Sequence, residues 1–143
     1  MEPEPSPIDP TVVNAVVADA YPGTRIRCTG LGRDFAAATL VATDTDLRPG
    51  GYISGPTQFM IADGALWYLV FGWLGRIETM ALTSELSIRF LRPAIGSVLN
   101  ARADLGAAGR RNVVGSVTVW ADDNAHRPSA IAQGTYALPR SPT

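Results

Sequence analysis

Residues 56–75, PTQFMIADGALWYLVFGWLG, decide how the rest of the chain folds. Phe59, Met60, Ile61, Ala62, Leu66, Trp67, Leu69, Val70, Phe71, Trp73 and Leu74 leave this stretch apolar on nearly every side. A proline at its first turn and a glycine after its last are the expected punctuation of a helix. A helix that is apolar all round is buried on most sides. About 20 apolar residues would also span a bilayer. Gln58 and Asp63 lie within the stretch, however, and a carboxylate inside a span is costly. The segments that follow alternate polar with apolar, so residues 56–75 read as a central helix wrapped by a sheet.

Outward from that helix, four β-like runs are predicted downstream, over residues 80–91, 97–105, 113–121 and 129–138. Alternation is clear in Leu86-Ser87-Ile88-Arg89-Phe90-Leu91. Arg92-Pro93, the glycines within 106–109, and Asp122-Asp123-Asn124 separate the runs as turns. Upstream, residues 44–55 form a loop rich in Asp, Pro and Gly, preceded by strands over 24–31 and 35–43. A short helix over 10–20 starts at Pro10, with Val12, Val13, Val16 and Val17 at helical spacing. Residues 1–9 are expected to be a flexible start. The fold class is α+β, one long central helix on a curved antiparallel sheet, as a single domain over 10–143.

Composition narrows the function. The chain has 143 residues, of which 46% are hydrophobic and 17% charged; the charged share is below the usual value of about 25%. A real core is affordable and a charged disordered tail is excluded. A net charge of -1, from 12 basic and 13 acidic residues, lacks the footprint of a nucleic-acid binder. Every Lys/Arg position is Arg, which removes Schiff-base and P-loop lysine chemistry. One cysteine, Cys28, and one histidine, His126, leave no disulfide framework and no metal cluster within a chain. Cys28 reads as a buried inert thiol, and His126 as a solvated residue of the 122–128 turn. The acidic, Pro-rich Met1-Glu2-Pro3-Glu4-Pro5 lacks the pattern of a secretory signal, and a cytoplasmic protein is expected.

Two features of the helix carry chemistry. Burying the lone Asp63 carboxylate costs several kcal/mol unless it is hydrogen-bonded or paired. Asp63 is therefore either a solvated-edge or capping residue, or a general base or nucleophile tuned by an apolar wall. At the helix entrance, the Gly55 N–H points outward with no Cβ to block a ligand. It either holds a thioester carbonyl as an oxyanion donor or belongs to a plain helix-starting turn.

The order of these pieces resembles a known family. A Gly-rich loop precedes an apolar helix containing Ile61-Ala62-Asp63. A strand then ends in Phe90-Leu91-Arg92-Pro93-Ala94, followed by Gly109-Arg110-Arg111 and a final strand with Ala132-Gln133-Gly134-Thr135-Tyr136. Over residues 23–138 this is similar to the hotdog-fold acyl-CoA thioesterases of the PaaI-like type, in the 4-hydroxybenzoyl-CoA thioesterase superfamily. The resemblance implies a hotdog fold and a homodimer or homotetramer with active sites at the subunit interface. It also implies an acyl-CoA substrate and no resident cofactor, coenzyme A being part of the substrate. Asp63 would be the general base or nucleophile, the Gly55 N–H the oxyanion donor, and Thr83, from the opposite subunit, a positioner of the attacking water.

The chain departs from the family pattern at two points. Ser54-Gly55-Pro56 stands where relatives carry His-Gly-Gly, and Arg48 where they carry Asn. Ser54 can exchange hydrogen bonds but cannot act as an imidazole. Gln58 either faces the site or is a polar helix-end residue. Trp67, with Tyr68, Phe71 and Trp73, either lines an acyl pocket or is core. Arg89, Arg92, Arg110 and Arg111 are candidates for the phosphates of coenzyme A, since Arg binds phosphate bidentately. The expected function is acyl-CoA hydrolysis. A hotdog dehydratase would need a histidine at the site, and the only one lies in a remote turn. A non-catalytic acyl-CoA-binding protein is the alternative, favoured by the absent His and Asn and opposed by Asp63 and Thr83. Neither nucleic acid nor membrane is an expected partner.

Overall fold

A computed structural model of the protein describes residues 8–140. The flexible start expected over 1–9 lies outside the described residues for positions 1–7. Asp9 is described, and its side chain N-caps the first helix by accepting from the Thr11 N–H at 2.8 Å.

The elements are α1 (Pro10–Ala20), β1 (Arg27–Leu31), β2 (Phe35–Val41), α2 (Gly55–Leu74), β3 (Leu82–Phe90), β4 (Val98–Ala108), β5 (Asn112–Ala121) and β6 (Ala130–Ala137). All strand pairs are antiparallel, in the order β1-β2-β4-β5-β6-β3. β4, β5 and β6 form a meander. β3 leaves its sequence neighbours and pairs with β6 at the far edge. β4 extends to Ala108, through the turn expected at 106–109, because a bulge between Leu105 and Ala107 absorbs Gly106.

The boundaries of α2 follow from local chemistry. Ser54 is extended (φ -69°, ψ 156°) and its hydroxyl accepts from the Thr57 N–H at 3.3 Å. Pro56 occupies the first turn, where its missing N–H costs nothing. Gly75, left-handed at φ 72°, ends the helix by donating to the Phe71 carbonyl at 2.9 Å. Between these caps α2 packs against all six strands. Ile61, Leu66, Leu69 and Phe71 are fully buried, each stabilising the fold by about 1.5–3 kcal/mol through removal from water.

The inner faces of the strands are small to admit the helix: Ala36 and Ala38 on β2, Ala101 and Ala103 on β4, Ala130 and Ala132 on β6. The approach is tightest at Gly72, where a Cβ would lie 2.1 Å from the Gly32 carbonyl oxygen, so only glycine fits. This is the hotdog arrangement, a sheet wrapped about one long helix. Among the described residues no helix is long and apolar enough to cross a membrane.

Candidate active site

Asp63 meets the sheet where β3 and β6 pair. Thr83 and Tyr136 are direct cross-strand partners, so their side chains leave the sheet on one face. Both reach the same carboxylate oxygen. The Thr83 hydroxyl donates to Asp63 Oδ1 at 2.7 Å, and the Tyr136 hydroxyl donates to it at 2.8 Å, also lying 3.1 Å from the Asp63 carbonyl. Among the described residues nothing bonds Oδ2. Burial of Tyr136, and next the Asp63 charge beside it, push its phenol far above the ordinary range, so it remains a donor. Asp63 therefore carries one fixed oxygen and one free one, and caps no neighbouring segment.

The resemblance implied that Thr83 positions the attacking water from the subunit opposite Asp63. In the structure Thr83 bonds Asp63 of its own chain, because β3 returns alongside β6 and the Thr83–Tyr136 register sets it over the helix.

Asp63, Thr83 and Tyr136 share a cavity of about 460 Å³ with Ile26, Met60 and Trp67. Trp67 thus lines the cavity, and it also packs on Phe71 with ring centroids 5.0 Å apart. Its buried indole Nε1 has no hydrogen-bond partner among the described residues.

The mouth of α2 is a second depression, about 630 Å³, lined by Arg48, Tyr52, Gly55, Gln58, Phe90 and Arg92 among others. Ser54 is engaged as the helix cap and bonds the Thr57 hydroxyl at 3.0 Å. Gln58 is buried with its amide engaged: Nε2 donates to the Ile53 carbonyl at 3.3 Å, and Oε1 accepts from the Ser129 hydroxyl at 2.8 Å. It is a strut tying the mouth to the start of β6.

A third group holds the mouth from behind. Asp46, 3% exposed, receives both terminal nitrogens of Arg25 at 2.7 Å, the Thr43 N–H at 2.8 Å and the Thr57 hydroxyl at 3.0 Å. The Arg25 guanidinium, above all, holds this carboxyl well below the usual carboxylate range. The sequence reading missed Arg25, Asp46, Thr57 and Tyr136 as contributors to the site. A local signal existed only for Asp46, whose capping box with Thr43 is legible in Thr43-Asp44-Thr45-Asp46.

Gly55 and Asp63 do not meet within one chain. Eight residues separate them, about 12 Å along a helix axis at 1.5 Å per residue, and they line different depressions. The arginines divide similarly. Arg48 and Arg92 lie in the Gly55 groove. Arg89 lies in a depression with Ser116, Thr118 and Gln133, and Arg110 and Arg111 in one at the β4–β5 turn. Neither of those depressions shares a residue with the two described above. His126 is exposed in the β5–β6 turn. Cys28 is buried, and burial pushes its thiol up to about 11, as suits an inert side chain.

Comparison with known proteins bears on the family and the fold. The profile of the Thioesterase superfamily matches residues 50–126, more than half of the chain. A solved structure from Silicibacter sp. TM1040, described as a candidate thioesterase, is 29% identical over 93% of each chain, with a TM-score of 0.81. A thioesterase from Haemophilus influenzae superimposes with a TM-score of 0.77 at 18% identity, over 91% of this chain and 90% of its own. The PaaI protein of the E. coli phenylacetic acid degradation operon does so at 0.71 and 22% identity, over 92% and 89%. The last two show likeness of fold. No curated protein sequence matches the chain.

Proposed function

Since the chain belongs to the thioesterase superfamily, we propose that it hydrolyses acyl-CoA thioesters at sites shared between two copies of itself. The observation that carries this reading is the Asp63 carboxylate, fixed through Oδ1 by Thr83 and Tyr136 and left with Oδ2 unbonded in a largely apolar cavity. A water held at Oδ2 attacks the thioester carbonyl carbon as Asp63 takes its proton. The carbonyl oxygen, gaining charge, is stabilised by the Gly55 N–H at the helix mouth of the partner subunit. Collapse of the adduct expels the thiolate of coenzyme A, which takes up a proton, and the acid departs. The acyl group lies along Ile26, Met60 and Trp67. No resident cofactor is needed.

The separation of Gly55 from Asp63 supports a homodimer, alone or paired into a tetramer. So do the exposed apolar side chains of the β3 edge and the residues before it, with Met80 and Leu82 each 66% exposed and Phe90 50%. A cytoplasmic location fits a chain whose single cysteine is unpaired.

One observation favours a second reading, an acyl-CoA binder that does not hydrolyse. Ser54 is engaged as a cap, so nothing stands in for the imidazole of relatives. Thiol release from a panel of short-chain, long-chain and aryl acyl-CoAs separates the two. Turnover of at least one, lost in Asp63→Asn, is expected. Binding without turnover of any refutes hydrolysis.

A further inference from the structure

The helix face that carries Asp63 has a notch in it. Gly64 follows Asp63 directly, and Ile26 fills the space that its missing side chain leaves. A Cβ at Gly64 would lie 2.8 Å from Ile26 Cδ1 and 3.2 Å from Ile26 Cγ2. Both residues line the cavity that holds the Asp63 carboxylate. Glycine inside a helix is destabilising relative to alanine; here it admits Ile26.

Ile26 is anchored along its backbone. Its carbonyl accepts from the Tyr68 hydroxyl at 3.0 Å, and Tyr68 is fully buried. Tyr68 stands one helical turn after Gly64, so anchor and notch share one row of α2. Just before Ile26, the Arg25 guanidinium is fixed by Asp46. Just beyond it, the Asn14 side chain clamps Cys28. The Cys28 N–H donates to Asn14 Oδ1 at 2.7 Å, and the Cys28 carbonyl accepts from Nδ2 at 2.9 Å. The Ile26 side chain is also stiff, because β-branching restricts χ1. This part of the wall does not withdraw when a ligand enters. Elsewhere the cavity is lined by Met60, Met80 and Leu82, and unbranched methionines adapt to whatever lies against them. The cavity is thus rigid beside the carboxylate and compliant further out.

We propose that Ile26 is the specificity-determining residue of the acyl site. It leaves room beside Asp63 for an unbranched carbon and excludes acyl groups branched or ringed at the carbon next to the thioester carbonyl. The carbonyl carbon has to come within reach of a water on Asp63 Oδ2, which puts the next carbon beside Gly64 and Ile26. Straight-chain acyl thioesters are the class the site takes. This rests on the thioesterase reading and adds to it which acyl groups enter.

The test uses carbon-matched pairs of coenzyme A thioesters, heptanoyl against cyclohexanecarbonyl and butyryl against isobutyryl. They are compared in the full chain and in Ile26→Ala, Ile26→Val and Gly64→Ala. The readout is the ratio of kcat/KM for the branched member over the straight one. Intrinsic reactivity differs within a pair but cancels between proteins. A methylene more or less in an apolar pocket is worth about 10–200-fold in discrimination. The ratio should therefore rise about ten-fold or more in Ile26→Ala, and less in Ile26→Val, which removes only Cδ1. In Gly64→Ala the new methyl displaces Ile26 towards the cavity, and the ratio should fall, in a helix that alanine favours. Loss of a merely structural side chain would lower both members of a pair alike. A ratio within about two-fold of the parent's in folded Ile26→Ala overturns the proposal. So does a parent that cleaves the cyclohexanecarbonyl thioester as efficiently as the heptanoyl one. If the parent cleaves no thioester, the thioesterase reading fails, and calorimetry with the thioethers S-heptyl-coenzyme A and S-(cyclohexylmethyl)-coenzyme A decides the pocket alone. A preference for the heptyl compound that Ile26→Ala removes upholds the proposal; equal binding of the two, or binding of neither, overturns it.

Discussion

The Gly55 N–H can be deleted while the helix that carries it is kept. Gly55 is the first helical residue of α2, a position proline favours because the N–H there is unpaired and its φ is preset. The preceding residue must be extended, and Ser54 already is, at φ -69° and ψ 156°. A Cβ at Gly55 would lie 3.1 Å from Phe90 Cζ, in a half-exposed ring free to tilt. Gly55→Pro should therefore keep the helix while lacking the proposed oxyanion donor; standing in helical backbone directly before the Pro56 ring it is crowded, so its melting temperature should fall below that of the parent. Loss of one such donor typically costs about 10²–10³-fold in kcat, roughly 3–4 kcal/mol. The assay is thiol release from the best acyl-CoA, with thermal melting beside it. A rate within about three-fold of the parent, in a variant that still melts cooperatively, would refute the assignment. The same variant tests whether sites are shared. Co-refolding it with Asp63→Asn makes half the dimers mixed, each with one intact site, so about a quarter of parental activity should return. No recovery above the separate variants would place Gly55 and Asp63 of one chain in the same site or in none.

Asp63→Asn keeps an oxygen for Thr83 and Tyr136 but cannot take a proton. Hydrolysis should fall by about 10²–10⁴-fold with melting preserved. Tyr136→Phe leaves Thr83 as the only hydroxyl on Oδ1; kcat should drop about ten-fold and stability by about 1 kcal/mol, read by steady-state kinetics and urea unfolding. Arg25→Met strands the Asp46 carboxylate. The penalty at pH 7 should be about 2–3 kcal/mol, below the 3–5 of a fully buried pair because Arg25 is partly solvated. Asp46 titrates lower in the folded state than its ordinary 3.8. Its contribution is thus full above about pH 4 and fades as pH falls further, so the gap between parent and variant in chemical unfolding should narrow there. His126→Ala, in an exposed turn, should leave activity within about three-fold of the parent; a hundred-fold loss in folded protein would restore a histidine-dependent mechanism.

The parts of this molecule legible in the sequence are those fixed by neighbours along the chain. Pro56 and Gly75 bracket α2 to within a residue, and alternation such as that around Leu86 marks the strands, because caps and periodicity act over a few positions. Asp63 stood out because a carboxylate inside an apolar helix demands a partner. The identity of that partner was not legible. Tyr136 reads as one more inward residue of β6, and its hydroxyl reaches Asp63 only because β3 crosses to β6 in a register that nothing in residues 82–90 announces. Arg25 and Asp46 are 21 positions apart, and no local pattern joins them. The arginines show the same limit. Residue type suggested phosphate binding for four, but only the folded surface shows Arg92 in one groove with Gly55 and Arg89, Arg110 and Arg111 in others.

The placement of α2 ahead of most of its sheet has a consequence during synthesis. When Leu74 leaves the ribosome, only β1 and β2 exist to cover the helix. β3, the next strand made, cannot settle until β6 is complete, because among the described residues β6 is its only partner in the sheet. About 60 residues separate the end of α2 from the end of β6, which at 5–20 residues per second amounts to roughly 3–12 s. At the start of that interval the most apolar segment of the protein lacks four of its six strands; β4 and β5 can join β2 as they emerge, and β6 with β3 completes the cover only at its end. Chaperone capacity should therefore limit the yield of soluble protein more than the stability of the finished fold does, and slower translation downstream of α2 should lower it.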